Sequence, residues 1–172
     1  MGDTKRVLVA YGSKYGATGE IAERIGKVLR EAGLEVDVQP AGKVRELSAY
    51  GAVVLGGALY IGRWHRAAAT LLTKRELDLA KTPTWLFSSG PTGTGDPVQL
   101  VQGQKLPKDL QAVADRVKPR DVVVFHGWLD EAKMNILERQ AIKMIKAPTG
   151  DFRDWTAIET WAKSIAEALN KS

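Results

Sequence analysis

The chain of 172 residues and 18.8 kDa is 44% hydrophobic and 26% charged, the balance of a globular domain with one full-sized core. It has no cysteine and two histidines, His65 and His126, which excludes disulfide scaffolds, zinc ribbons, iron-sulfur clusters and thiol catalysis and argues against a classical metal cluster. The net charge of +5 and pI near 9.5 would suit a polyanion, but the 25 basic and 20 acidic residues are mixed and no basic run is interleaved with aromatics, so nucleic acid is not an expected partner.

The start, Met1 to Arg6, leads into an apolar run without a cleavable hydrophobic region, and no run approaches the roughly eighteen apolar residues of a membrane span. A soluble, cytoplasmic protein is expected. Apolar runs rich in branched residues at Arg6 to Tyr11, Glu35 to Gln39, Ala52 to Gly56, Thr84 to Ser88 and Asp121 to His126 each predict a buried strand. Between them, Thr18 to Ala32 has helical period, with Ile21, Ile25, Val28, Leu29 and Ala32 on one stripe and Gly33 where a left-handed C-terminal residue is wanted. Helices are also predicted at Arg66 to Lys81, Lys108 to Val117 and Asp154 to Leu169, the last capped by Asp154. Strands alternating with helices imply right-handed crossovers, hence a single α/β domain over 1–172 with helices on both faces of a parallel sheet. Ser89 to Pro107 is too long for a simple connection, and the segment at about 128–150 carries an extra helix.

Three predicted strands end in glycine clusters: Gly12 and Gly16, then Gly56, Gly57 and Gly62, then Gly90, Gly93 and Gly95. In an open parallel sheet these carboxyl ends line one edge, where ligands bind at the point of strand reversal. The loop Ser13-Lys14-Tyr15-Gly16-Ala17-Thr18 supplies hydroxyls and the free amides of a helix start, which suits a phosphate monoester. It is neither a Walker loop nor a G-x-G-x-x-G fingerprint. Lys14 is either an electrostatic aid to that phosphate or a solvated loop charge.

Gly12-Ser13-Lys14-Tyr15-Gly16-Ala17-Thr18, entered from Val7-Leu8-Val9-Ala10-Tyr11, resembles the phosphate loop of the flavodoxins, with Tyr15 where a flavodoxin usually has a threonine. Gly57-Ala58-Leu59-Tyr60-Ile61-Gly62-Arg63-Trp64-His65 and Gly150-Asp151-Phe152-Arg153-Asp154-Trp155 resemble the flavodoxin-domain branch that contains the menaquinone-linked protoporphyrinogen oxidases of bacterial haem synthesis. The resemblance implies a doubly wound sheet of five parallel strands in the order 2-1-3-4-5, with FMN at the switch point between the first and third strands. It implies a cofactor site built from Ser13 to Thr18, from Ala58, Leu59, Tyr60 and Trp64, and from Ser89, Gly90, Pro91, Thr92, Gly93 and Gly95. Tyr60 and Trp64 can stack on a flavin ring and the third loop can meet its pyrimidine edge; for both rings the alternative is simple packing. Trp128 is a third possible wall.

No catalytic side chain is singled out. His65, between Arg63 and Arg66, reads as a solvated rim residue before it reads as an acid, base or anion ligand, and His126 reads as structural. Asp96 and Asp130 fall in loops near the same edge. The implied role is electron transfer between small-molecule or protein partners, including oxidation of a protoporphyrinogen linked to a quinone; a single-electron carrier and a flavin-free binding module are the alternatives. The basic balance favours the oxidase, since classical flavodoxins dock through strong acidity. On the extra helix, Met134, Leu137, Ala141, Met144 and Ile145 form an apolar stripe opposite Arg139, Lys143, Lys146 and Ile136, and packing of that stripe on the domain is expected ahead of membrane contact or a homodimer seam.

Overall fold

A computed structural model describes residues 3–171, so Met1 and Gly2, part of the start read above, and Ser172 lie outside the described residues. The strands β1 (Asp3–Gly12), β2 (Glu35–Pro40), β3 (Tyr50–Tyr60), β5 (Thr84–Ser89) and β6 (Asp121–Phe125) form a parallel sheet in the order β2-β1-β3-β5-β6. The two-residue strand β4 (Arg63–Trp64) folds back antiparallel on the end of β3. Counting the five long strands alone, this is the expected order 2-1-3-4-5.

Because side chains alternate across a strand, a strand buried on both faces feeds two cores. Val7 and Val9, Ala52 and Val54, and Trp85 and Phe87 pack under α1 (Ala17–Glu31) and α7 (Trp155–Asn170). Leu8 and Ala10, Val53 and Leu55, and Leu86 pack on the opposite face under α2 (Arg66–Lys74), α3 (Glu76–Ala80) and α5 (Lys108–Val117). Phe87, Phe125 and Trp161 close the first core as an aromatic cluster with centroids 5.6 to 6.0 Å apart, the two phenyl rings tilted to one another and Trp161 edge-on to both, and the Trp161 indole N–H donates to Asp121 at 3.0 Å. Asp154 caps α7 as expected, accepting from the Ala157 amide.

Two of these elements differ from expectation. The helix expected over Arg66 to Lys81 is two helices, broken at Arg75 (φ −106°, ψ 22°); the second rests on α5, where Glu76 pairs with Arg116. Strand β3 runs four residues past Gly56, because Gly56 and Gly57 are packing glycines within the strand. A Cβ on Gly56 would lie 1.9 Å from the Phe87 ring, and one on Gly57 2.3 Å from the Trp64 indole. The long connection after β5 is, as expected, not a simple one and holds the one-turn helix α4 (Pro97–Leu100).

The segment after β6 begins with β7 (Trp128–Leu129), which pairs antiparallel with β8 (Gly150–Asp151), and between them lies α6 (Ile136–Met144) with a complete capping box from Asn135 and Glu138. Its inward side carries Glu138, Ala141 and Ile142. Of the expected packing stripe, Met134 is buried and Ala141 half-buried, but Leu137, Met144 and Ile145 are 57 to 84% exposed, so only part of that stripe seats the segment.

Gly56→Ala tests the packing of β3. Phe87 is fully buried and cannot swing aside. The substitution should destabilise the fold by about 1–3 kcal/mol, towards the upper end, as read by urea unfolding. A neutral result would mean that β3 and β5 are less tightly apposed.

Candidate functional site

The carboxyl ends of β1, β3, β5 and β6 open onto one edge, and there the loops enclose a slot of 350 Å³. Ser13, Lys14, Tyr15, Ala17 and Thr18 line it from the first loop, Ala58, Leu59, Tyr60, Arg63, Trp64 and His65 from the second, Ser89 and Gly90 from the third, and Gly127, Trp128 and Leu129 from the segment after β6. Of the sixteen residues expected to form the cofactor site, eleven therefore line one cavity. Gly16, Pro91, Thr92, Gly93 and Gly95 do not. Gly16 instead shapes the first loop: it is the helix N-cap at φ +91°, and its amide donates to Ser13 Oγ at 3.0 Å. No side chain caps α1, as none caps α3 or α5, whereas α2, α6 and α7 are capped; its first-turn amides start beside the buried Thr18, which lines the slot.

Pro91 and Thr92 border a second cleft of 410 Å³, which shares Leu59, Tyr60, Gly90 and Leu129 with the slot. Gly93 and Gly95 belong to a loop closed by His126, whose ring nitrogens contact Pro91 O at 3.2 Å and Gly95 O at 2.8 Å. His126 is thus structural, as expected. His65 caps α2 by accepting from the Ala67 amide at 3.2 Å.

The aromatic residues around the slot have different duties. Trp64 is 5% exposed and spans Gly57, donating its indole N–H to Ser88 Oγ at 2.8 Å; it belongs to the core and forms the slot's floor. Tyr60 is exposed at the mouth, next to a turn in which Ile61 and Gly62 both have positive φ, the geometry of a tight hairpin. Trp128 is half-buried, with Arg153 at 4.9 Å and Lys133 at 5.1 Å from its ring centroid.

Two charged residues that sequence reading left without a role organise this edge. Arg153 has a side chain only 5% exposed; it forks onto Asp151 at 2.9 and 2.7 Å, donates to Ala17 O at 3.2 Å, pairs with Glu20, and lies 4.7 Å from the Trp155 ring. It joins β8, the start of α1 and the Trp128 wall. Hydrogen bonding to Asp151 raises the Arg153 pKa above its usual value and holds the Asp151 carboxyl below its own. Glu138 of α6 accepts from both Lys14 Nζ and Tyr15 OH, and Lys133 Nζ donates to Tyr15 O at 3.3 Å. Lys14 and Tyr15 are therefore engaged by α6; Lys14 remains exposed, as a loop charge paired with Glu138.

Hydrogen bonds from Lys14 and Tyr15 pull the Glu138 carboxyl down to about 2, and burial, followed by the bond to Glu138, pushes the Tyr15 phenol up. A carboxyl depressed from an unfolded value near 4.3 stabilises the folded state above that pH, and the contribution is lost as pH falls towards about 2. A carbon-detected NMR titration should find the Glu138 midpoint near 2 and return it towards about 4 in the Lys14→Gln, Tyr15→Phe variant. A midpoint near 4 in the unmodified chain would remove the clasp.

Among the described residues no group of three metal-ligating side chains converges, and no helix is long and apolar enough to cross a membrane. A family model described as flavodoxin domain matches residues 8–156. Protoporphyrinogen IX dehydrogenase [quinone] of Escherichia coli K12 is 22% identical over 96% of this chain and 97% of its own length. Among solved structures, rubredoxin oxygen:oxidoreductase of Desulfovibrio gigas superposes with a TM-score of 0.67 at 16% identity, over 99% of this chain and 37% of that one. A flavodoxin of Pseudomonas aeruginosa superposes with a TM-score of 0.59 at 21% identity, over 96% of this chain and 99% of that one. The long match to the family model, together with a shared strand order, makes the chain a member of the flavodoxin-domain family.

Proposed function

We propose that the chain binds FMN in the 350 Å³ slot and works as an oxidoreductase, taking electrons from a reduced organic substrate of the protoporphyrinogen type and passing them to a quinone. The observation that carries the reading is the uncapped start of α1, opening beside Ser13 and the buried Thr18 on a slot whose other walls are largely apolar. That donor set fits a phosphate monoester attached to a flat ring. The end-to-end similarity to a quinone-linked protoporphyrinogen dehydrogenase supports the choice of substrate class, and the basic net charge of +5 supports it over an acidic single-electron carrier.

When bound, FMN supplies the redox chemistry. The chain's part is to bind and orient. Ser13 and Thr18 donate hydroxyl hydrogen bonds to the phosphate alongside the first amides of α1. Glu138 neutralises Lys14, so the loop holds its anion mainly through neutral donors and the helix dipole. Trp64 gives the slot a rigid floor, Tyr60 and Trp128 offer rings at its sides, and Arg153 fixes Trp128 from behind. Leu59 and Tyr60 are shared with the neighbouring cleft, where a reactant would lie next to the cofactor.

Thr18→Val should weaken FMN binding by about ten- to a hundredfold, the loss of one hydrogen bond to a charged oxygen, with the fold retained. Ser13→Ala should act in the same direction. Unaltered FMN affinity in both variants would move the phosphate elsewhere. In anaerobic stopped-flow work, protoporphyrinogen should reduce the FMN-loaded chain and a menaquinone analogue should reoxidise it. Reduction by a protein donor but not by the porphyrinogen would assign a carrier instead.

A further inference from the structure

Between Glu46 and Glu76 the chain has no Asp or Glu, yet it carries Arg63, Arg66, Lys74 and Arg75 there, with Lys43 and Arg45 just before. The fold brings several of these bases to a cleft of 480 Å³ between α2 and the single helical turn Ala41–Lys43 that follows β2. His65, Arg66, Lys74 and Arg75 line the cleft together with Thr70, and no carboxylate does. Arg66, Thr70 and Lys74 are four residues apart, so they follow one another along one side of α2 at intervals of roughly 6 Å. Other groups hold the walls in place. Arg75 donates to Arg45 O and pairs with Asp78 at 3.7 Å, which ties the segment after the turn to the end of α2, and His65 caps the start of that helix. Arg66 and Lys74 are exposed and take part in no ion pair among the described residues. The next acids along the chain are committed, Glu76 to Arg116 and Asp78 to Arg75.

We propose that this cleft binds an organic phosphate with at least two negative charges, of the nucleoside diphosphate class, its phosphoryl groups between Arg66, Thr70 and Lys74 and its organic part against the half-buried Val44 and Ala67. The volume is that of a small-molecule site. A guanidinium fork, an ammonium and a hydroxyl in a row are the donors that a phosphoryl group takes. Two uncompensated cations, with Lys43 on the facing turn, call for more charge than one carboxylate carries. A diphosphate supplies it on two linked groups, which suits bases about two turns apart on one side of a helix. A concave cleft with no Phe, Tyr or Trp in its lining fits a small ligand better than a nucleic-acid strand, which binds along an extended groove with rings for its bases. The proposal is independent of the FMN reading. The cleft meets the slot only at His65, and Arg66, Thr70 and Lys74 line the cleft and not the slot.

The test is an NMR titration of the isotope-labelled full chain with ADP, in which amide shifts both locate and measure binding. Gly42, Ala67 and Thr70 should move and report the cleft, while Ser13 and Thr18 report the slot separately. Arg66→Gln with Lys74→Gln should weaken the binding read at the cleft by about tenfold or more. Lys163→Gln with Lys171→Gln removes the same charge from exposed positions on and after α7 and should change it by less than about twofold. Adenosine should not bind, and citrate should bind at least about tenfold more weakly than ADP. Shifts confined to Ser13 and Thr18, no shifts at millimolar ADP, or equal losses in the two double variants would overturn the proposal. Equal binding of citrate would overturn the choice of a phosphate. An oligonucleotide that displaces ADP from the cleft and binds more tightly would overturn it too, assigning the face to nucleic acid.

Discussion

The functional edge depends on how closely three backbone segments approach one another. A Cβ on Gly90 would sit 2.7 Å from Leu59 O, and one on Gly127 would sit 2.7 Å from Gly90 Cα. The loops after β3, β5 and β6 are thus layered at main-chain contact, tied by Gly127 N–H to Pro91 O at 3.0 Å and Phe152 N–H to Gly127 O at 3.0 Å. Side chains cannot enter such a stack, so the space between it and the first loop remains open as the slot. The glycines at these positions serve close approach; Gly16 is the different case in which a left-handed backbone is required.

Around this stack the edge is closed by charge. Arg153 gathers Asp151, Glu20 and Ala17 O, which joins the hairpin of β7 and β8 to the start of α1. Glu138 joins α6 to the first loop from the other direction. The two devices hold elements more than a hundred residues apart in sequence, and both meet at the loop that carries Ser13 and Thr18. Moving either would shift the loop proposed to bind the cofactor and the segment that borders the neighbouring cleft together.

The sheet was legible because each buried strand carries a continuous branched run, and α1, α5 and α7 because their apolar stripes match the sides they bury. The first loop was legible because its hydroxyls and glycine fall between a strand and an amphipathic helix. Glu138 and Arg153 were not, since nothing local distinguishes a charge that will meet a partner far along the chain from one facing water. The same difficulty misdirected the reading of α6, whose inward side holds a carboxylate while Leu137 and Met144 face out. Trp64 reads equally as a ring for stacking and as core, and its bond to Ser88 with its position over Gly57 depends on β3 and β5 being side by side. Gly93 and Gly95 share the glycine spacing of the loop but not its wall, because His126 draws their segment away.

The first loop and the start of α1 are proposed to hold the phosphate of FMN. The most direct measurement is a paired titration of the purified, flavin-free chain with FMN and with riboflavin, which lacks the phosphate. FMN should bind at least about tenfold more tightly than riboflavin, the loop's donors having no phosphate to meet in riboflavin. Equal affinity for the two, or no binding of either, would contradict it.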